Sequence, residues 1–257
     1  MGTSGLRAVT LDWGNVDWTT NAFTQAFDID ASNPGNDIRI TFSGDTASNN
    51  DDVFAGSTTG PSPDDTTFST GGITPAADGE SLYIQIRYAD NNNGAANDQI
   101  TVTIDFLYTF GVQNVTFTVF DVDDRAGEWE DRLDTFRGYN SANTTTSFAD
   151  LTGSVGNNVA NSGTASASVN GTADVGPTSG NANVAVVFND ATMNSISFRW
   201  TNQDAARGYQ WIAIHNITYT PVPEPSTWVA GGLLTAFVAF RAVKGRLRPG
   251  IKPTTCG

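Results

Sequence analysis

Seven carboxylates fall within fourteen residues in the stretch FTVFDVDDRAGEWEDRLDTF: Asp121, Asp123, Asp124, Glu128, Glu130, Asp131 and Asp134. Oxygen-rich clusters suit a hard cation such as Ca2+, which takes roughly six to eight oxygen ligands. On a strand ending at Val122, Asp121 and Asp123 would project to one side, and Gly127 would let the chain turn back on itself. Asp121, Asp123, Asp124, Glu130 and Asp131 are therefore the candidate calcium ligands. The Asp-x-Asp opening resembles that of an EF-hand, but the glycine at the sixth place and the glutamate at the twelfth are absent. The competing reading is a solvated acidic turn, its charges met by Asx capping and by pairing with Arg125 or Arg132.

Other side chains invite chemistry more weakly. Six tryptophans raise the possibility of carbohydrate binding, since sugar rings stack on exposed indoles. Trp129, inside the acidic turn, is the candidate for such stacking; Trp13 and Trp18 flank GNVD near the start, and Trp200 and Trp211 read as core. The run ADNNNGAANDQ places Asp90, Asn92 and Asp98 around Gly94, which is hairpin material or a second ion site. His215, the only histidine, lies in WIAIHNITY on a strand face with Trp211, Ile217 and Tyr219, where a hydrogen-bonded packing role is expected. Nucleophile elbow, His-Glu-x-x-His, phosphate-cradling glycine loop and Cys/His pair are missing from the sequence. A glycosidase carboxylate pair could sit among the 27 acids, but no spacing singles one out. The chain is read as non-enzymatic.

These residues must be held by pleated sheet. Charged residues make up only 16% of the chain and aromatics 11%, with abundant Asn, Thr, Ser, Gly and Asp, as expected for strands joined by turns. Period-two alternation appears in DIRITFS, SLYIQIRY, QITVTIDFLY, VTFTVFDV, NVAVVF, SISFRW and YQWIAIHNITY. The expectation is an all-β antiparallel sandwich, jelly-roll-like, of at least seven strands over residues 1–220. Between Tyr139 and Asn183 large apolar residues are few, and polar edge strands are expected near Thr144–Phe148 and Ala165–Asn170.

Charge divides the chain. Residues 1–240 carry 8 basic against 27 acidic side chains, whereas Arg241, Lys244, Arg246, Arg248 and Lys252 follow Phe240. An acidic body repels phosphate backbones, which argues against nucleic acid as a partner. Cys256 is the only cysteine, so no intrachain disulfide forms. The opening MGTSGLRAVTLDWGN has no apolar run behind basic residues, so it does not read as a secretory signal peptide.

The end of the chain, PVPEPSTWVAGGLLTAFVAFRAVKGRLRPG, combines a proline-rich stretch, an uncharged run and a basic block. Residues 221–227 form a linker whose prolines forbid helix. An apolar helix is expected over 228–243, long enough to enter a bilayer if Arg241 snorkels. The tail 244–257 would then stay cytoplasmic by the positive-inside rule. A single-pass anchor and a helix packed on the body are the alternatives.

The succession Val222, Pro223, Glu224, Pro225, Ser226, Thr227, short apolar helix and arginine resembles the PEP-CTERM sorting signal of exopolysaccharide-producing, mostly Gram-negative bacteria. The match covers Val222 to Arg246, about a tenth of the chain. The resemblance implies recognition by an exosortase-type membrane transpeptidase, cleavage near the motif, and a body that ends in the envelope or the extracellular polysaccharide matrix. A carbohydrate-binding module and, third, a matrix glycosidase are the alternative functions for the body.

Overall fold

The computed structural model of the 257-residue chain describes residues 7–19, 22–44, 62–64, 81–87, 99–176, 179–189, 191–204 and 209–223. Seventeen strands occur among these residues. They are β1 Val9–Leu11, β2 Thr24–Phe27, β3 Ile38–Gly44, β4 Ser62–Asp64, β5 Ser81–Arg87, β6 Gln99–Phe106, β7 Val112–Phe120, β8 Asp124–Arg125 and β9 Trp129–Tyr139. The chain continues with β10 Thr145–Phe148, β11 Asp150–Gly153, β12 Asn157–Ala160, β13 Ser168–Gly171, β14 Val184–Phe188, β15 Ser195–Asn202, β16 Tyr209–Ile214 and β17 Ile217–Pro221. A single 3-10 turn, Trp13–Asn15, is the one helical element among the described residues.

All pairings are antiparallel and fall into two sheets. The first follows the order β1-β17-β7-β16-β5-β4, with β14 on the other edge of β7 and β11 beyond it. The second runs β12-β13-β9-β15-β6-β3-β2, with β8 and β10 also paired to β9. One hydrophobic core draws on both, and aromatic rings bridge the sheets. Phe117 of β7 packs on Phe198 of β15 at 5.8 Å, Phe198 stacks on Phe136 of β9 at 5.5 Å, and Phe106 of β6 meets Tyr219 of β17 at 4.9 Å. The fold is an all-β sandwich.

The alternation read from sequence becomes alternation of burial. In β6, Ile100, Val102, Ile104 and Phe106 are buried while the residues between them are half-buried. Burying such side chains stabilises by about 25 cal/mol per Å2 of apolar surface, which fixes the strand register because a one-residue slip would turn the whole set outward. YQWIAIHNITY, expected as one strand, is two. Both β16 and β17 pair with the same edge of β7, and the run breaks at His215–Asn216. There Asn216 turns its amide to the N-terminal segment, accepting from the Trp13 backbone N–H at 2.9 Å and donating to Asp12 at 3.3 Å.

The acidic stretch differs most from expectation. The strand VTFTVFDV ends at Phe120 rather than Val122, because Asp121 takes a left-handed backbone (φ 62) that leaves the ladder. Residues expected to form a turn instead build β9, eleven residues long and central to the second sheet. Two features hide this strand from pattern reading. An aspartate, Asp131, occupies an inward position, and a bulge at Thr135 (φ 58) shifts the phase so that Leu133 and Phe136 both face the core. The turn itself is the tight β8–β9 hairpin, where Gly127 (φ 80) meets the expectation of a chain reversal.

The polar stretch after Tyr139 contains four strands where two were expected. β10 and β13 overlap the expected edge strands, and β11 and β12 are additional. Few apolar side chains anchor them, Leu151 and Val169 in the core and Val159 against it, and hydrogen bonds add to these, as when the Leu151 N–H donates to Ser162 Oγ at 2.7 Å.

By its contacts the chain divides into Met1–Val222 and Pro223–Gly257. The expected helix over 228–243 and the Asp90–Asp98 run lie outside the described residues. Among the described residues no helix is long and apolar enough to cross a membrane.

Phe198, fully buried between Phe117 and Phe136, should be a keystone of the inter-sheet contact. Phe198→Ala is expected to cost about 3–5 kcal/mol in urea unfolding. A loss under about 1 kcal/mol would show that the two sheets do not meet through this stack.

Candidate functional site

Where β7 ends, the chain leaves the ladder and crosses one end of the sandwich before returning through β8 and β9. This crossing lays Asp121 and Asp123 along the floor of a cleft of about 200 Å3. Arg125 and Trp129 from the hairpin, Gln210 and Trp211 from β16, and the segment Asp174–Gly176 complete its lining. Asp121 and Asp123 both line the cleft, although the strand expected to carry them ends at Phe120.

The cleft floor is unusually acidic for its depth. Asp121 is 4% exposed, Asp123 and Asp131 scarcely more or less. The charges are met largely by tryptophan. Trp129 donates its indole N–H to Asp123 Oδ1 at 3.1 Å, and Trp200 donates to Asp131 Oδ1 at 2.8 Å. A hydrogen bond from Trp211 reaches the Asp121 side chain. Backbone groups add to these: Val175 N–H donates to Asp123 Oδ2 at 3.0 Å, and Asp123 N–H donates to Asp131 Oδ2 at 3.4 Å. The sequence assigned Trp129 to ligand stacking; it is 8% exposed, with the Arg125 guanidinium 5.4 Å over its ring. Trp211, read from sequence as core, is the more exposed of the two, its ring 6.5 Å from that of Trp129.

Burial pushes the Asp121 carboxyl up to about 8, the nearby Asp123 charge adds to the rise, and the Trp211 hydrogen bond opposes it. Burial also raises Asp123 and, well above the usual carboxylate range, Asp131. Asp134 behaves in the opposite way. Burial alone would raise it, but Arg199, donating to both carboxylate oxygens at 2.7 Å, holds it low.

The five expected calcium ligands have different surroundings. Asp124 pairs across the hairpin with Glu130, and Glu130 accepts from Asn170 Nδ2 at 2.7 Å. Asp131 lies beneath the cleft against Trp200. Both oxygens of Asp123 and both of Asp131 already accept an N–H. Among the described residues no group of three or more His, Cys, Asp and Glu is placed to hold a metal ion. Arg125, expected to pair in the turn, meets Glu128 at 3.2 Å and Asp174 at 3.6 Å, both at exposed positions.

Among the described residues, two polar groups at the cleft stand without partners. Asp121 Oδ1 accepts nothing, and neither Nε2 nor Oε1 of Gln210 has a hydrogen bond, although Gln210 is 1% exposed. Sequence reasoning missed Gln210, since a glutamine in an otherwise apolar strand, YQWIAI, carries no motif. His215 is buried between β16 and β17, its ring 5.4 Å from Phe120, as a packing role requires. Of the sorting motif, Val222 and Pro223 are described and Glu224, Pro225, Ser226 and Thr227 lie outside the described residues. The Val222 N–H still donates to Gly111 O at 3.0 Å.

The raised Asp121 sets a pH dependence. Its carboxyl titrates near 4 in the unfolded chain and about 8 in the folded one, so the fold binds the extra proton. Its contribution is therefore intact below pH 4 and is lost as pH climbs through 8. Asp121→Asn should remove this loss, giving a variant more stable than the parent at pH 8.5 by on the order of a few kcal/mol and little different at pH 4.5. Thermal unfolding across that range is the check, and parallel curves for the two proteins would refute it.

No family model matches the chain, and no curated protein matches it. Among solved structures, the chain is similar to the K1 cleaved adhesin domain of Lys-gingipain from Porphyromonas gingivalis W83, with 12% identity and a TM-score of 0.31 over 84% of this chain and 99% of that one.

Proposed function

We propose that the chain is an exported, non-enzymatic β-sandwich protein, sorted by its C-terminal segment and processed there by an exosortase-type membrane transpeptidase, with the body working in the cell envelope or the extracellular polysaccharide matrix. The observation that carries the proposal is the order of chemistries after the body: Pro223, Glu224 and Pro225, an uncharged run to Phe240, then Arg241, Lys244, Arg246 and Arg248. Lipid accepts the uncharged run, the cations stay on the cytoplasmic side, and the proline hinge is left on the far side within reach of a membrane enzyme.

The sandwich supports this reading in one respect. The Val222 N–H is still tied to Gly111, so the Pro-Glu-Pro segment begins directly after a residue pinned to the body. A cut in or after that segment would release the sandwich with its strands intact. The non-enzymatic reading of the body draws on the side chains themselves: the histidine packs on Phe120, and the deepest carboxylates are engaged by indoles and backbone N–H groups.

Fractionation of native cells, with and without the transpeptidase, is the test. The processed body should appear in the envelope or medium of wild-type cells, and a longer, membrane-held precursor should accumulate when the transpeptidase is deleted. An unprocessed body in the cytosol of both strains would end the proposal.

A further inference from the structure

The geometry points to the cleft between Trp129 and Trp211 as a binding site for one neutral sugar ring, with Gln210 and Asp121 reading its hydroxyl groups. This goes beyond the sorting proposal and does not depend on it.

Gln210 is the starting observation. It lies on a strand whose neighbours Ile212 and Ile214 are core, it lines the cleft, and both ends of its amide lack a partner. Leaving a buried donor and a buried acceptor unmet is unfavourable, and an apolar residue of the same length would avoid the cost. A ligand that offers a donor and an acceptor side by side would satisfy both. Adjacent hydroxyls on a sugar ring have this property, because each hydroxyl donates once and accepts twice. Asp121 Oδ1, the third unmet atom, lines the same cleft and would take a further hydroxyl.

The aromatic pair supplies the other half of sugar recognition. The indole N–H groups of Trp129 and Trp211 are turned to Asp123 and Asp121, so hydrogen bonding to the floor is already arranged; the Arg125 guanidinium covers the Trp129 ring, and Trp211 is left to present carbon surface. Trp211 is the more exposed ring and the better stacking platform. The cleft volume of about 200 Å3 accommodates a single ring, so the site would take a chain end or a side branch of a polysaccharide rather than a long segment.

Cations are the rival occupants, and the hydrogen bonds argue against them. A calcium ion wants roughly six to eight oxygens, whereas both oxygens of Asp123 already accept an N–H, and among the described residues Oδ1 of Asp121 and Oε1 of Gln210 are the buried side-chain oxygens of the cleft left unpartnered. For an organic cation, Arg125 already places a guanidinium over the Trp129 ring.

The purified full-length protein would be titrated with the methyl glycosides of glucose, galactose and mannose, following tryptophan emission, with calcium chloride in a parallel titration. A saturable emission change with at least one glycoside is expected. Gln210→Met should weaken that glycoside at least about tenfold and also raise Tm in the absence of sugar, a combination that a merely structural glutamine would not give. Trp211→Ala, at a partly exposed position, should abolish the response without unfolding the protein. The inference is overturned if none of the three glycosides responds, if Gln210→Met binds as the parent does, or if calcium raises Tm and Asp121→Asn removes the rise. Failure here would leave cell fractionation unaffected, so the two proposals fall separately.

Discussion

Indole N–H groups donated to buried carboxylates hold one end of this sandwich together. Placing Asp121, Asp123 and Asp131 out of water would be prohibitive for bare charges, and burial accordingly pushes all three carboxyls toward the protonated form. Trp129, Trp200 and Trp211 make the arrangement tolerable by each donating a hydrogen bond, and the Trp200 ring also fills space in the core between the sheets. The same contacts fix the path of the chain from β7 into β9. Gly171 of β13 is part of this constraint: a Cβ there would collide with the Asp123 backbone, so β13 can close over the crossing only with glycine at that position.

Much of the fold was legible because apolar residues at period two mark half-buried strands in β3, β6, β7, β14 and β15. What was not legible shares a physical cause. β9 carries an aspartate at an inward position and a phase-shifting bulge, so its pattern imitates an acidic turn. β11 and β12 each bring a single apolar side chain, Leu151 and Val159, to the core and otherwise rest on backbone and hydroxyl hydrogen bonds, which leave little trace in hydrophobicity. The candidate site was half visible. Carboxylate density drew attention to Asp121 and Asp123, but Gln210 and Trp211 come from a strand about ninety residues later, and only the sheet topology brings them there.

The body and the tail follow different logic. The sandwich resolves its acidity internally, through indoles, backbone N–H groups and the Arg199–Asp134 pair. The tail combines prolines, an uncharged run and cations, and under the sorting proposal it would constrain location rather than activity. Within the body, the unmet amide of Gln210 is the feature on which the inferred sugar site rests.

The central claim is that indoles shield the carboxylate floor from water. Hydrogen exchange of the tryptophan side-chain protons, resolved by 15N NMR, reads this directly. The Trp129 and Trp200 indole protons should exchange far more slowly than those of an exposed indole. Exchange of both at the rate of a solvent-exposed indole would mean that water reaches the carboxylates, and the account of this end of the sandwich would be wrong.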